Sequence, residues 1–333
     1  MTTTGAGMAV GISTFSGFIG ELREVAQERD SLSLVDWGIS RLLDHLDVDA
    51  AWCGWAEIRP SEVVVHSSSA SNLPDDYSAF WETMNSEDLL ARAVLERPEA
   101  VATYARTDQV QTDGMVALAD RYHLTRMATA MEQRPPRRTA FFMSIYRGDR
   151  HARDWSGEET EFLACGVEHL AAAARTRQRG PLENAAGRNG VELLADETGR
   201  AFIGGSALAA AFADLWPGAA GDELPDALKA AAAQPGRTVL GDVGLVVDVR
   251  PLSDSRFSGL SRVSVRRAGP LDMLTARESE IARQIALGAS HKLIARDLDI
   301  SPATARNHIQ SIYRKTGVDN RVALARLVLE TPN

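Results

Sequence analysis

Arg306, Asn307, Gln310 and Arg314 recur at intervals of one, three and four residues, with Ser301, Thr304 and Lys315 at their flanks. On a helix such spacing gathers side chains on one face. Their chemistry is that of contact with duplex DNA: Arg can donate two bonds to a guanine edge, and Asn or Gln can bond adenine in bidentate fashion. Ser, Thr and Lys can hold phosphate oxygens. No Asp or Glu interrupts the stretch from Ile300 to Val318. Polar residues on any exposed helix look similar, so the elements that would position these side chains decide the reading.

Those elements are legible. Thr275 can accept a bond from the free N–H groups of a helix start, and Glu278 can reach back to complete a capping box. The apolar residues Ile281, Ile285 and Ala286 then share a face, and Gly288 supplies a left-handed stop. A second helix fits His291 to Leu298, capped by Ser290, with Leu293, Ile294 and Leu298 pointing inward. Asp299 and Ile300 form the turn. Ser301-Pro302 gives a cap with proline at the first helical position, and the third helix runs to Thr316 before Gly317. Ala305, Ile309 and Ile312 would pack on the first two helices. Two helices about a tight turn make a helix-turn-helix, with Arg306, Asn307, Gln310 and Arg314 facing out.

The stretch Leu274-Thr275-Ala276-Arg277-Glu278, with Gly288, Ile294-Ala295, Thr304-Ala305-Arg306-Asn307-His308, Ile312-Tyr313-Arg314-Lys315, Gly317-Val318 and Asn320-Arg321, resembles the LuxR-type DNA-binding domain. The resemblance implies double-stranded DNA as partner, with the third helix in the major groove and the positions of Arg306, Asn307 and Gln310 nearest the bases. It also implies a fourth helix, here Arg321 to Glu330, that pairs two subunits, and Leu324, Leu327 and Val328 would form the homodimer's apolar stripe. Ala305 and Thr316 stand where that family usually has larger aliphatic residues.

Composition agrees with a soluble chain of two or three domains: 333 residues, 44% hydrophobic, 24% charged, formal net charge −9. From Leu274 onward nine Lys or Arg face six Asp or Glu, giving +3, so the first 273 residues carry −12. DNA contact must then be local to the C-terminal module. Two cysteines, Cys53 and Cys165, cannot make a disulfide framework. The N-terminus shows neither a basic n-region nor a sustained apolar run, so the cytoplasm is the expected compartment, without membrane contact.

The N-terminal stretch reads as α+β. Two amphipathic helices precede a hairpin of Ala50 to Ile58 and Glu62 to Ser67 around Pro60-Ser61. A second hairpin joins Leu124 to Glu132 and Thr139 to Arg147 around Pro135-Pro136, and a long helix follows from about Gly157 to Arg177. Helices fit between the hairpins near 75–84, 87–96 and 114–122. This order is similar to a GAF-type domain. Trp52 and Trp55 are three apart on a strand, so only one can line a given cavity. Tyr77, Trp81 and Phe142 would add flat apolar walls, with Asp88 or His66 as an orienting polar group for a small apolar or aromatic effector. Ordinary core packing explains such aromatics equally well. Ser71-Asn72-Leu73-Pro74, Tyr77, Trp81 and Asp88 also resemble part of the acyl-homoserine-lactone-binding domain, although Leu89 stands where that pattern has proline.

After Gly180-Pro181 the composition turns linker-like. Short strands and Ala-rich helices then follow in an order that resembles a reduced PAS-like domain, or a spacer without ligand. The expected organisation is a GAF-like sensor domain (1–178), a linker (179–190), a PAS-like or spacer domain (191–268) and an all-α four-helix LuxR-type helix-turn-helix domain (269–333). No phosphate-binding Gly-rich loop, nucleophile elbow or metal-ligand His spacing is present, so no cofactor, metal or catalytic residue is expected. A ligand-responsive DNA-binding regulator fits best. A constitutive regulator with N-terminal protein contacts, or an enzyme with an accessory DNA-binding domain, are the alternatives.

Overall fold

The computed structural model describes residues 10–29, 31–59, 62–98, 100–133, 138–148, 153–176, 190–219, 221–252, 257 and 259–330. The turns expected at Pro60-Ser61 and Pro135-Pro136, and the linker apart from Gly190, lie outside them. The described residues divide into two compact units, one within 1–180, 193–225 and 251–262, the other within 181–192, 226–250 and 263–333. This division runs through the stretch read from sequence as a single domain, 191–268.

In the first unit, helices α1 (Ile12–Glu28) and α2 (Ser31–His45) lead into strands β1 (Ala50–Ile58) and β2 (Val63–Ser71). Helices α3 (Tyr77–Met84) and α4 (Leu89–Glu96), strand β3 (Ala102–Ala105) and helix α5 (Asp113–Tyr122) follow. Strands β4 (Arg126–Glu132) and β5 (Thr139–Arg147) and helix α6 (Gly157–Thr176) complete the series. The sheet order is β2-β1-β5-β4-β3 with antiparallel neighbours. This is the antiparallel α+β layout that the sequence predicts. Strand β3 was not anticipated: Ala-Thr-Tyr-Ala is too short and too mixed to announce itself, and pairing with β4 makes it a strand.

Both faces of the sheet are covered, so alternation along each central strand sorts residues into two cores. Cys53, Trp55, Phe141, Met143 and Ile145 pack with Leu42 of α2 and Leu163 and Leu170 of α6. Trp52, Phe142, Tyr146 and Met127 pack instead with Trp81 of α3, Leu90 of α4 and Met115 of α5. Helix α6 is held to the end of β5 by Arg147, whose side chain is fully buried. It donates to the Asp47 carbonyl at 2.8 Å and to Glu159 at 2.5 Å, with Trp155 stacked 3.7 Å from its guanidinium. Burial alone would raise the Glu159 carboxyl, but its bonds from Arg153, the Ser156 N–H and Arg147 outweigh burial and hold it at about 2.

A second five-stranded sheet contains β6 (Gly190–Asp196), β7 (Ala201–Ile203), β8 (Gly236–Leu240), β9 (Leu245–Pro251) and β10 (Leu260–Arg267), in the order β7-β6-β10-β9-β8. Numbered within each sheet, the two orders are identical. Leu194, Phe202, Ile203 and Leu260 join the same cluster as Trp55, within the first unit. The helices α7 (Gly205–Ala211) and α8 (Asp226–Ala232) are shorter than their Ala-rich sequences suggest. Pro225 disfavours helical geometry at Leu224 and delays the start of α8.

In the second unit a 3-10 turn, Pro270–Met273, precedes α9 (Ala276–Ala286), α10 (His291–Asp297), α11 (Pro302–Thr316) and α12 (Arg321–Glu330). Asp272 is buried and accepts from Arg266 of β10 at 2.6 and 2.7 Å, from Arg237 of β8 and from the Gly269 N–H. The four helices close on Ile281, Ala282, Ile285, Ile294, Ala295, Ala305, Ile312 and Leu324. Leu293, expected to point inward, is 36% exposed because Ile294, Ala295 and Leu298 form the buried face of the short α10.

The α10–α11 turn places Asp299 at φ 52°, in the left-handed region. Glycine adopts that region freely, whereas a β-branched residue is strained there. Asp299→Gly should therefore hold or raise the thermal stability of the C-terminal helices. Asp299→Val should lower it by about 1–2 kcal/mol, read by denaturation followed at helical wavelengths.

Candidate functional site

Helix α11 is fixed at both ends. Ser301 Oγ accepts from the Thr304 N–H at 3.0 Å, Pro302 occupies the first turn, and Gly317 closes the helix at φ 70°. Ala305 and Ile312 are fully buried and Ile309 partly so, which turns Ser301, Thr304, Arg306, Asn307, Gln310 and Arg314 to solvent. Among the described residues no carboxylate pairs with Arg306 or Arg314; Arg306 Nε reaches only the Pro302 carbonyl, at 3.4 Å. The face is polar and positive, and its Ser301 and Thr304 hydroxyls bond each other at 2.8 Å.

Lys315 is placed differently. It is 31% exposed and its Nζ donates to Glu278 Oε2 at 2.6 Å. The same carboxylate accepts from the Thr275 N–H at 2.8 Å and from Ser311 Oγ at 2.7 Å, while Thr275 Oγ1 accepts from the Glu278 N–H at 3.2 Å. The capping box legible in the sequence is thus also a hub between α9 and α11. Arg277 donates to the Leu298 carbonyl at 2.6 Å, tying α9 to the end of α10. Arg321 donates to the Ala289 carbonyl at 2.9 Å, beyond the end of α9. Thr316, unusual for its position, is buried with its hydroxyl on the Ile312 carbonyl at 2.7 Å.

The expected dimer stripe needs correction. Leu324 is fully enclosed in the module's own core and Val328 packs against that core, so this face of α12 closes the module. Leu327 is half-buried. Helical spacing showed an apolar face but not what covers it. The apolar residues that α12 leaves exposed are Val322, at 77%, and Leu329, at 71%.

In the first unit, five of the seven candidate ligand residues converge. Trp52 lies with ring centroids 5.4 Å from Tyr77, 5.0 Å from Trp81 and 4.7 Å from Phe142, and Trp81 Nε1 donates to Asp88 Oδ2 at 2.6 Å. Trp55 and His66 are on the opposite face, against Phe202. His66 Nδ1 there lies 2.9 Å from Asp196, and Arg200 pairs with buried Glu57 at 2.9 Å. They belong to a different core, as alternation along β1 requires for Trp55. Asp88 caps α4 through the N–H groups of Leu90 and Ala91, at 2.8 and 3.0 Å. Its burial pushes the carboxyl pKa up.

The sequence reading missed three polar members of this face. Tyr146 accepts from the Tyr77 hydroxyl at 2.8 Å, and Thr129 and Ser144 bond each other at 2.8 Å. Period-two spacing from Phe142 along β5 marks Ser144 and Tyr146. Among the described residues Trp52 Nε1 is buried without a hydrogen-bond partner, as are Trp55 Nε1 and Trp155 Nε1. Among the described residues no group of His, Cys, Asp and Glu could hold a metal ion, and no helix is long and apolar enough to cross a membrane.

A four-helix module with this turn, these caps and this outward face defines a helix-turn-helix of the DNA-binding kind. Residues 272–328 match the family described as bacterial regulatory proteins, luxR family, and the C-terminal module is a LuxR-type helix-turn-helix domain. The chain is 44% identical over 79 residues to a nitrate/nitrite response regulator protein homolog of Haemophilus influenzae, covering 24% of this chain and 38% of that protein. It is 52% identical over 52 residues to the monoamine regulon transcriptional regulator of Klebsiella aerogenes, covering 16% and 23%. The chain therefore spans well under half of these relatives. Among solved structures, Escherichia coli SdiA overlaps 95% of this chain and 98% of its own at TM-score 0.39 and 14% identity. A GAF domain/HD domain protein from Geobacter sulfurreducens overlaps 49% and 97% at TM-score 0.31 and 14% identity.

The Glu278 hub sets a pH expectation. Burial raises this carboxyl, but its bonds from Lys315, the Thr275 N–H and Ser311 outweigh burial and hold it at about 2, below the usual 4.5. A carboxylate lowered in the folded state contributes stability that is present above its unfolded pKa and lost as pH falls through the folded one. Glu278→Gln should therefore be less stable than the parent at neutral pH. That gap should close as pH falls from 4.5 towards 2, measured by acid-titrated thermal melts.

Proposed function

We propose that the chain is a sequence-specific transcriptional regulator that binds DNA as a homodimer, controlled by a small molecule held in its N-terminal domain. The observation that carries the first part is the outward face of α11, where Arg306, Asn307 and Gln310 are exposed with no carboxylate partner on either side of a rigid cap. Arg306, Asn307 and Gln310 face base edges, and Ser301, Thr304 and Arg314 lie nearer the backbone. Two copies pair through the exposed side of α12, at Val322 and Leu329, on half-sites about one helical turn apart. The chain acts by binding rather than catalysis, in the cytoplasm, with 1–178 as sensor, 191–268 as a PAS-like or spacer domain and 269–333 on DNA.

The sensor reading rests on Trp52, one of three indoles with a buried, unpartnered N–H among the described residues and the one that lies among Tyr77, Trp81 and Phe142. A small apolar or aromatic effector with one hydrogen-bond acceptor would complete it. Other polar groups on this face already pair among themselves, as Tyr77 does with Tyr146 and Thr129 with Ser144. That pairing favours the second reading, a constitutive DNA-binding regulator whose N-terminal domain makes protein contacts.

Two measurements test these readings. Arg306→Ala or Gln310→Ala should cost about 1–3 kcal/mol on a preferred duplex and relax preference at one or two base positions. Equal losses on preferred and random duplexes would refute these readers. Compounds that raise the melting temperature of the chain in a thermal-shift screen should lose that effect in Trp52→Phe. They should also shift DNA affinity by about 1–3 kcal/mol, with DNA shifting compound affinity equally. Stabilising compounds that leave DNA affinity unmoved would establish the interaction-module reading instead.

A further inference from the structure

Of the cations on α11 that could meet DNA, Arg306 and Arg314 are exposed, whereas Lys315 is neutralised within its own module. Its ammonium and the Ser311 hydroxyl, one helical turn apart, converge on the single buried carboxylate of Glu278, at 2.6 and 2.7 Å. Glu278 cannot swing away to release them, because Oε2 also accepts the Thr275 N–H that starts α9. Withdrawing Lys315 to reach a phosphate would leave this carboxylate buried beside a polyanion with one fewer cationic partner, which is unfavourable on both counts.

The position of this anchor on the helix matters. Successive residues are about 100° apart around a helix axis, so Ser311 and Lys315 sit one step round from Gln310 and Arg314. A rotation of α11 by that step would take Gln310 away from the groove and bring Ser311 in. The apolar contacts that oppose such a turn come from Ile312 and the half-buried Ile309 and Tyr313, with Ala305 offering only a methyl group. The bonds to Glu278 are directional where those contacts are not.

We infer that Lys315 is a positioning residue and not a phosphate contact: with Ser311 it anchors α11 on Glu278 and fixes the rotation that presents Arg306, Asn307 and Gln310 to base edges. This rests on the DNA-binding reading above. It assigns the loss of Lys315 to selectivity rather than to the general attraction for phosphates.

The test uses the full chain, a duplex that the parent enriches from a random pool, and a shuffled duplex of the same composition, titrated by fluorescence anisotropy across a salt series. Lys315→Met should weaken the enriched duplex about tenfold, the scale of one lost charged hydrogen bond. The shuffled duplex should change by less than about twofold, and the slope of log affinity against log salt should match the parent's. Ser311→Ala, which alters no charge, should shift selectivity in the same direction. A slope reduced by about 0.9, with equal losses on both duplexes, would place Lys315 on a phosphate and overturn the proposal. Unchanged affinity for the enriched duplex would overturn it too. If Lys315→Met loses its helical circular dichroism, Ser311→Ala decides alone, and unchanged selectivity in that variant overturns the anchor. A parent that enriches no duplex would remove the DNA-binding reading itself, a failure distinct from either result.

Discussion

The C-terminal module depends on one carboxylate. Eight buried apolar side chains close its four helices, three of them alanines, and such non-directional packing gains from a directional bond that indexes one helix against another. Glu278 supplies what packing does not. It completes the cap of α9 and receives two side chains of α11 from the same buried position, which makes the start of the first helix and the rotation of the third a single geometric fact. Arg277 and Arg321 extend the same logic by spending guanidinium donors on free carbonyls near helix ends. These interior uses of charge leave the outward face of α11 with cationic and amide groups and no carboxylate of its own.

The N-terminal sheet obeys a different constraint. Because helices cover both faces, each central strand must be apolar on both sides, and the side of a residue follows from its parity. That rule sends Trp52 and Trp55 into separate cores and gives the Trp52 face a buried cluster of paired neutral polar groups. The other face carries charge instead: His66 with Asp196 and Glu57 with Arg200 join the first sheet to the β6–β7 hairpin within one compact unit. The hairpin is therefore packed as part of that unit, although its sequence reads as the start of a new domain.

What was legible in the sequence was whatever local chemistry determines. Thr275, Ser290, Ser301 and Gly317 announce helix ends because a side chain or a left-handed residue meets a need set within a few positions. The outward residues of α11 follow from the same periodicity. Features that depend on distant partners were not legible. Leu324 lies on an apolar stripe whichever surface covers it, so only the fold shows that its own module does. Lys315 looks like any cation on a DNA-facing helix until Glu278, 37 positions earlier, is seen against it. Strand β3 exists through pairing with β4, and Tyr146 enters the aromatic cluster through the Tyr77 hydroxyl. Asp272 is similar: its role emerges only when Arg237 and Arg266 meet around it.

The proposed function requires that the face built by α11 reads sequence. Its most direct test is equilibrium titration of the full chain with its most enriched duplex and with a shuffled duplex, both at one fixed, near-physiological salt concentration. A base-reading helix predicts a preference of about a thousandfold or more for the enriched duplex, because unpaired donors on the wrong edges are costly. Equal affinity for both duplexes would mean that the positive face recognises only phosphate charge, and would contradict the account.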